Sequence, residues 1–252
     1  MSFFSKALAS MGIGAARVDS RLEKSVYHQG ETIFGEIYIQ GGQVRQKIDE
    51  IYLYLIVRYH EGDAMKEYKI DEYRISEIFE IGPQENRVVP FEIQLPYDTP
   101  LTTTDTLIYL KTGLDIQMAI NPNDEDGIEV RAHSMVERIV TAIESVGFHL
   151  EEVECELSNH YSRYPFVQEF KFEPNYGYKQ DIDELEVIFH VGEHQVEVDM
   201  EIDRKASDWM GSLEEALALD ERIVRFTVLR EDVEERSNNL ELKIRDILEE
   251  HV

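Results

Sequence analysis

The chain has 252 residues, 42% of them hydrophobic, enough to bury one large core or two modest ones, with the length favouring two domains. Its 52 acidic residues against 25 basic ones give a formal net charge of −27. That balance excludes unspecific electrostatic binding to nucleic acid or to an anionic bilayer, and leaves basic partners and cations open. The single cysteine, Cys155, rules out an intrachain disulfide and fits a reducing cytoplasm, and no stretch approaches the roughly 20 apolar residues of a membrane span.

In "MSFFSKALASMGIG" the apolar residues Phe3, Phe4, Ala7, Leu8 and Met11 fall on one side of a short helix over 3–12, and Lys6 interrupts any signal-peptide core. From about residue 16 the hydrophobic period becomes two. "ETIFGEIYIQGG" alternates through Ile33, Gly35, Ile37 and Ile39. "IDEIYLYLIVRYH", "MKEYKIDEYRISEIFEIG", "NRVVPFEIQLP" and "TLIYLKTGLDI" continue as strands between Gly and Pro breakers. Strands so spaced, with no helix between them, predict an antiparallel sandwich over 1–130. Over 131–147, Ser134 and Glu137 read as a capping box, Met135, Val136, Ile139, Val140, Ile143 and Val146 keep helical spacing, and Gly147 closes the helix. This connecting helix divides two β-rich halves. Over 148–252, "FHLEEVECEL", "PFVQEFKFEP", "ELEVIFHV", "HQVEVDMEID" and "RIVRFTVL" predict strands of a second sandwich. Ser212 and Glu215 open a short helix, and Leu240, Ile244, Ile247 and Leu248 stripe a C-terminal helix that packs on its own domain or against a partner, the first being favoured. The predicted class is mainly β: two tandem antiparallel β-sandwiches with an N-terminal, a connecting and a C-terminal helix.

One string carries the letters of catalytic chemistry. "IFHVGEHQVEV" contains His190, Glu193 and His194 in an H-x-x-E-H pattern, the signature of one class of zinc peptidases. Two histidines four apart share a metal only on a helix face, and a helix is disfavoured here. Val187, Ile188, Phe189 and Val191 are strand formers, and Val196, Val198, Met200 and Ile202 alternate with polar residues. The segment instead predicts a hairpin with Gly192-Glu193 as a type II′ turn. Val191 then faces His194, Phe189 faces Val196, Val187 faces Val198 and Leu185 faces Met200, while His190 faces Gln195 on the other side. The histidines diverge. On the polar side Glu186 lies opposite Asp199, and Glu184 opposite Glu201. The plain reading is a solvated surface neutralised by nearby Lys or Arg; the functional reading is a strip that receives a cation or a basic partner.

Weaker signals lie elsewhere. "NPNDEDG" places Pro122 at the first ligand position of a calcium loop and therefore reads as a turn. Cys155 reads as a strand residue rather than a nucleophile, and no G-x-S-x-G, Walker or dinucleotide glycine pattern occurs. No catalytic, cofactor-binding or metal-ligating residue is assigned. In "HYSRYPFVQEFKFEPNYGY", Phe166, Phe170 and Phe172 read as core. Tyr161, Arg163, Tyr164, Tyr176 and Tyr178 lie in flanking turns, of which Arg163 and Tyr164 are the candidate contact residues.

"VYHQGETIFGEIYIQGG" resembles the first strands of arrestin-like domains, followed by "IDEIYLYLIVRY" and "VVPFEIQLPYDTP". "FFSKALASMGIGAARVD", "TGLDIQMAINPNDEDGIEV", "GFHLEEVECE", "PFVQEFKFEP" and "EALALDERIVRFTV" together resemble the stage-zero sporulation-control protein M family along nearly the whole chain. The resemblance implies two arrestin-like sandwiches, a cytoplasmic location, and a regulatory scaffold or adaptor with no reaction of its own and no cofactor. Protein partners are expected through sheet edges, an interdomain groove or the terminal helices, with Glu184, Glu186, Asp199, Glu201, Arg163 and Tyr164 as the candidate contact residues. The rival readings are a metal-dependent hydrolase on a β-scaffold and a structural homodimer assembled through the last helix.

Overall fold

The computed structural model describes residues 15–62, 64–116, 121–157, 163–175, 177–205, 222–234 and 239–251. The helices expected over 3–12 and from Ser212 lie outside the described residues, as do Tyr161 and Tyr176. The chain is mainly β and divides into two units, Met1–Arg131 and Ala132–Val252.

In the first unit the strands are β1 (Arg17–Leu22), β2 (Val26–His28), β3 (Thr32–Gln40), β4 (Gln46–Glu61), β5 (Ala64–Arg74), β6 (Phe79–Ile81), β7 (Asn86–Gln94), β8 (Thr106–Ile116) and β9 (Asn123–Arg131). They form a three-stranded sheet in the order β1-β3-β7 and a larger one in the order β2-β9-β8-β4-β5, with β6 paired to β4. The short β2 runs parallel to β9, against the antiparallel rule of the rest. The alternation read from sequence holds: Ile33, Gly35, Ile37 and Ile39 of β3 face inward, and Ile51, Leu53, Leu55 and Val57 of β4 bury their side chains. Phe91 of β7 lies over Gly35, where a Cβ would come within 2.6 Å of the ring. A β1 strand that also approaches β8 and β9 brings the two sheets face to face.

The segment read as a turn around "NPNDEDG" is instead β9, paired with β8 from Ile108↔Ile128 to Gly113↔Asn123. Its composition is poor for a strand, but the β8 ladder overrides local preference. Alternation exposes Glu125 and Gly127 and turns Asp124 and Asp126 inward.

The second unit holds α1 (Ser134–Val146), β10 (Phe148–Leu157), β11 (Phe166–Pro174), β12 (Ile182–Val191), β13 (Gln195–Arg204), β14 (Arg222–Leu229), α2 (Arg230–Glu234) and α3 (Asn239–His251). Helix α1 is capped one residue earlier than Ser134 suggested: the Met135 N–H donates to Nδ1 of His133 at 3.3 Å. Gly147, at φ 125°, ends it as expected. The five strands form one antiparallel meander, β10-β11-β12-β13-β14. Among the described residues the layer against this sheet is helical and no second sheet appears. Helix α1 buries Met135, Val136, Ile139, Ala142, Ile143 and Val146 and packs on β10, β13 and α3. Leu240, Ile244 and Leu248 of α3 are buried within this unit, so the C-terminal stripe is occupied by its own domain. An Arg138 to Glu241 ion pair at 2.7 Å ties α1 to α3.

Candidate interaction surface

Strand alternation gives the five-stranded sheet two unlike faces. The helix side carries Phe170, Phe172, Leu185, Val187, Val196, Val198, Met200 and Ile202, all buried. The other side is mostly carboxylate, and its pairing is read from the ladder. One row runs Glu152, Lys171, Glu186, Glu201, Ile223; the next runs Glu154, Glu169, Ile188, Asp199, Arg225.

The central hairpin is displaced by two residues from the expected register. Val191 pairs with Val196, Phe189 with Val198, Val187 with Met200 and Leu185 with Ile202. The turn is centred on Glu193-His194 and is closed by the Gly192 N–H donating to the Gln195 carbonyl at 2.9 Å. Gly192 is not among the residues at positive φ, so the type II′ turn is corrected. The shift keeps the paired side chains on their predicted faces but changes their neighbours: Glu186 now opposes Glu201, Glu184 opposes Asp203, and Asp199 sits beside Ile188.

These neighbours decide the electrostatics. Asp199, 8% exposed, takes two bonds from Arg225, Nε to Oδ1 at 2.5 Å and Nη2 to Oδ2 at 2.6 Å, and lies 3.2 Å from His190 Nε2. The Arg225 bonds lead in holding its carboxyl below the usual range, with burial opposing and His190 assisting. Lys171 contacts Glu154 and stands 3.6 Å from Glu186, and the Glu154 contact leads in raising its ammonium. Glu169, half-buried between these groups, receives only part of that charge. Burial pushes its carboxyl up to about 7, with Glu186 and Glu156 adding to the rise. Burial, then Glu186, also raises Glu184.

The sequence candidates therefore separate. Glu184, Glu186 and Glu201 share the open face with Glu169, whereas Asp199 is held by Arg225. Tyr164 is 6% exposed and stacks on Phe166 at 5.6 Å, with the Arg163 guanidinium 5.6 Å from its ring. Tyr178 stacks on Phe148. Lys171, Glu169 and Arg225 went unread, although Phe170, Phe172 and Val228 in the core already place them outward. His190 and His194 lie on a strand and in a turn, and His194 is exposed beside Glu193 at 3.8 Å. Among the described residues no three His, Cys, Asp or Glu side chains converge as a metal set. Cys155 is a half-buried strand residue.

With this geometry in place, comparison with known proteins adds the lineage. The family model described as SpoOM protein matches residues 4–206. The chain belongs to the SpoOM protein family. It is 40% identical over 257 aligned positions to the sporulation-control protein spo0M of Bacillus subtilis (strain 168), covering 100% of this chain and 99% of that one. The crystal structure of Spo0M, a sporulation control protein from Bacillus subtilis, superposes with a TM-score of 0.82 at 38% identity, over 95% of this chain and 100% of that chain. The mainly β fold is thus shared over 95% of this chain. No described helix is long and apolar enough to cross a membrane.

Proposed function

We propose that this protein is a cytoplasmic, non-enzymatic regulator of sporulation that acts as an adaptor, binding a basic segment of a partner protein on the outer face of the β10–β14 sheet. The regulatory role follows from the relative named for sporulation control, which aligns over essentially all of both chains. The observation that carries the binding surface is the crowding of carboxylates on one face of this sheet. Its rows place Glu152, Glu154, Glu169, Glu184, Glu186 and Glu201 around one lysine, Lys171, while Arg225 is engaged by Asp199. Cations on the face are outnumbered, so a partner supplying Lys or Arg relieves like-charge repulsion on docking and gains on-rate from steering. Ile188 and Ile223 lie within the rows and supply apolar contact.

The test is affinity capture from sporulating cells with the full chain and with Glu184→Gln/Glu186→Gln/Glu201→Gln, circular dichroism verifying that both are folded. The proposal expects a salt-sensitive partner retained by the first and lost by the second. Equal capture by both removes the surface from the account.

A further inference from the structure

Between the two sheets of the first unit, three polar side chains meet around one serine hydroxyl. Ser20 of β1, 4% exposed, places Oγ 3.0 Å from Thr112 Oγ1 of β8 and 3.3 Å from Asp124 Oδ2 of β9, and in contact with Asp126 Oδ2 of the same strand. The Ser20 N–H also donates to Asp124 Oδ2 at 2.8 Å. Thr112 is fully buried, and the two aspartates are half-buried.

Hydrogens at Ser20 Oγ are scarce. A serine hydroxyl offers one hydrogen and two lone pairs. Thr112 donates to one lone pair, and the single hydroxyl hydrogen serves one of the two carboxylates, not both. A protonated carboxyl can donate to the second lone pair, and an ionised carboxylate has no hydrogen to give. The Ser20 N–H marks which carboxyl stays charged: it donates to Asp124, and among the described residues no backbone donor reaches Asp126.

We propose that Asp126 is held protonated and donates to Ser20 Oγ, and that this proton closes a latch joining β1 to the six-stranded sheet, which loosens as the proton leaves. The charges facing Asp126 act in the same direction. Burial raises its carboxyl above the usual aspartate range, Asp124 of its own strand and Asp19 of β1 raise it further, and the Ser20 hydroxyl is the opposing influence. Thr112, from β8, is uncharged. The folded-state value is raised, so the latch contributes fully at pH below the ordinary aspartate range and is lost as pH rises through the raised value.

The experiment is carboxyl 13C NMR titration of the full chain with 13C-labelled aspartate, assigned with Asp126→Asn and Asp124→Asn, alongside thermal unfolding from about pH 4 to about pH 8. The latch predicts that the Asp126 resonance titrates above the other aspartates and moves down towards them in Asp124→Asn. It also predicts that Asp126→Asn, whose amide donates at every pH, melts at or above the wild-type temperature near neutrality with a flatter pH profile. An Asp126 midpoint at or below the ordinary range overturns the proposal, as does a high midpoint carried by Asp124. The titration is read on the unmodified protein, so the outcome stands even where a variant fails to fold.

Discussion

Two sets of carboxylates occupy opposite situations in this molecule. In the first unit Asp124 and Asp126 turn inward and meet hydroxyls and one backbone N–H. In the second unit Glu154, Glu186 and Asp199 stand on an outer sheet face and meet Lys171, Arg225 and His190. Hydroxyl donors are few and neutral, so the inward pair reduces its charge by keeping a proton. Cationic donors answer part of the outward set, but two long side chains serve many carboxylates. The outward set is left with charge to offer a partner, and the inward pair is internal structure.

The contrast can be broken from either side. The largest effect is expected from Arg225→Ala, which strips the mostly buried Asp199 of two charge-assisted bonds and costs about 2 kcal/mol in urea unfolding. Adding Asp199→Asn should return part of that loss. Ser20→Ala removes the hydroxyl around which the inward pair is arranged and should cost about 1 kcal/mol by the same measurement. Glu169 separates the sets by pH. Its folded value of about 7 lies above the ordinary 4.5, so its contribution is complete below the ordinary value and fades as pH rises through 7. Glu169→Gln should therefore melt higher than wild type near pH 8 and similarly near pH 5. Asp199 runs the other way: its lowered value makes its contribution present above the ordinary aspartate range and lost in acid. The smallest effect is expected at His194, exposed in the turn, where alanine should change stability by less than about 0.5 kcal/mol.

Much of this was legible in the residues. Strand alternation placed Ile33, Ile37 and Ile39 inward and assigned the faces of the β12–β13 hairpin, because a displacement of two residues preserves side-chain parity. The turn was not legible. Placing Gly192 at a central position satisfied local turn chemistry but set His194 against Val191; the fold instead matches Leu185, Val187, Phe189 and Val191 with four apolar partners. Burial across the whole hairpin outweighs the preference of one turn. The inward pair was hidden for a related reason. "NPNDEDG" is locally turn-like, and only pairing with β8 makes it a strand that turns Asp124 and Asp126 towards Ser20, a residue more than a hundred positions away. Tyr164 read as a contact residue from its composition-rich turn, but its ring is occupied by Phe166.

The central claim is that the outward carboxylates are where a partner sits. Carboxyl-to-lysine cross-linking of the captured complex, followed by mass spectrometry, reads that contact directly. The account predicts cross-links from Glu184, Glu186 and Glu201 to lysines of the partner; links confined to the first unit or to α3 would contradict it.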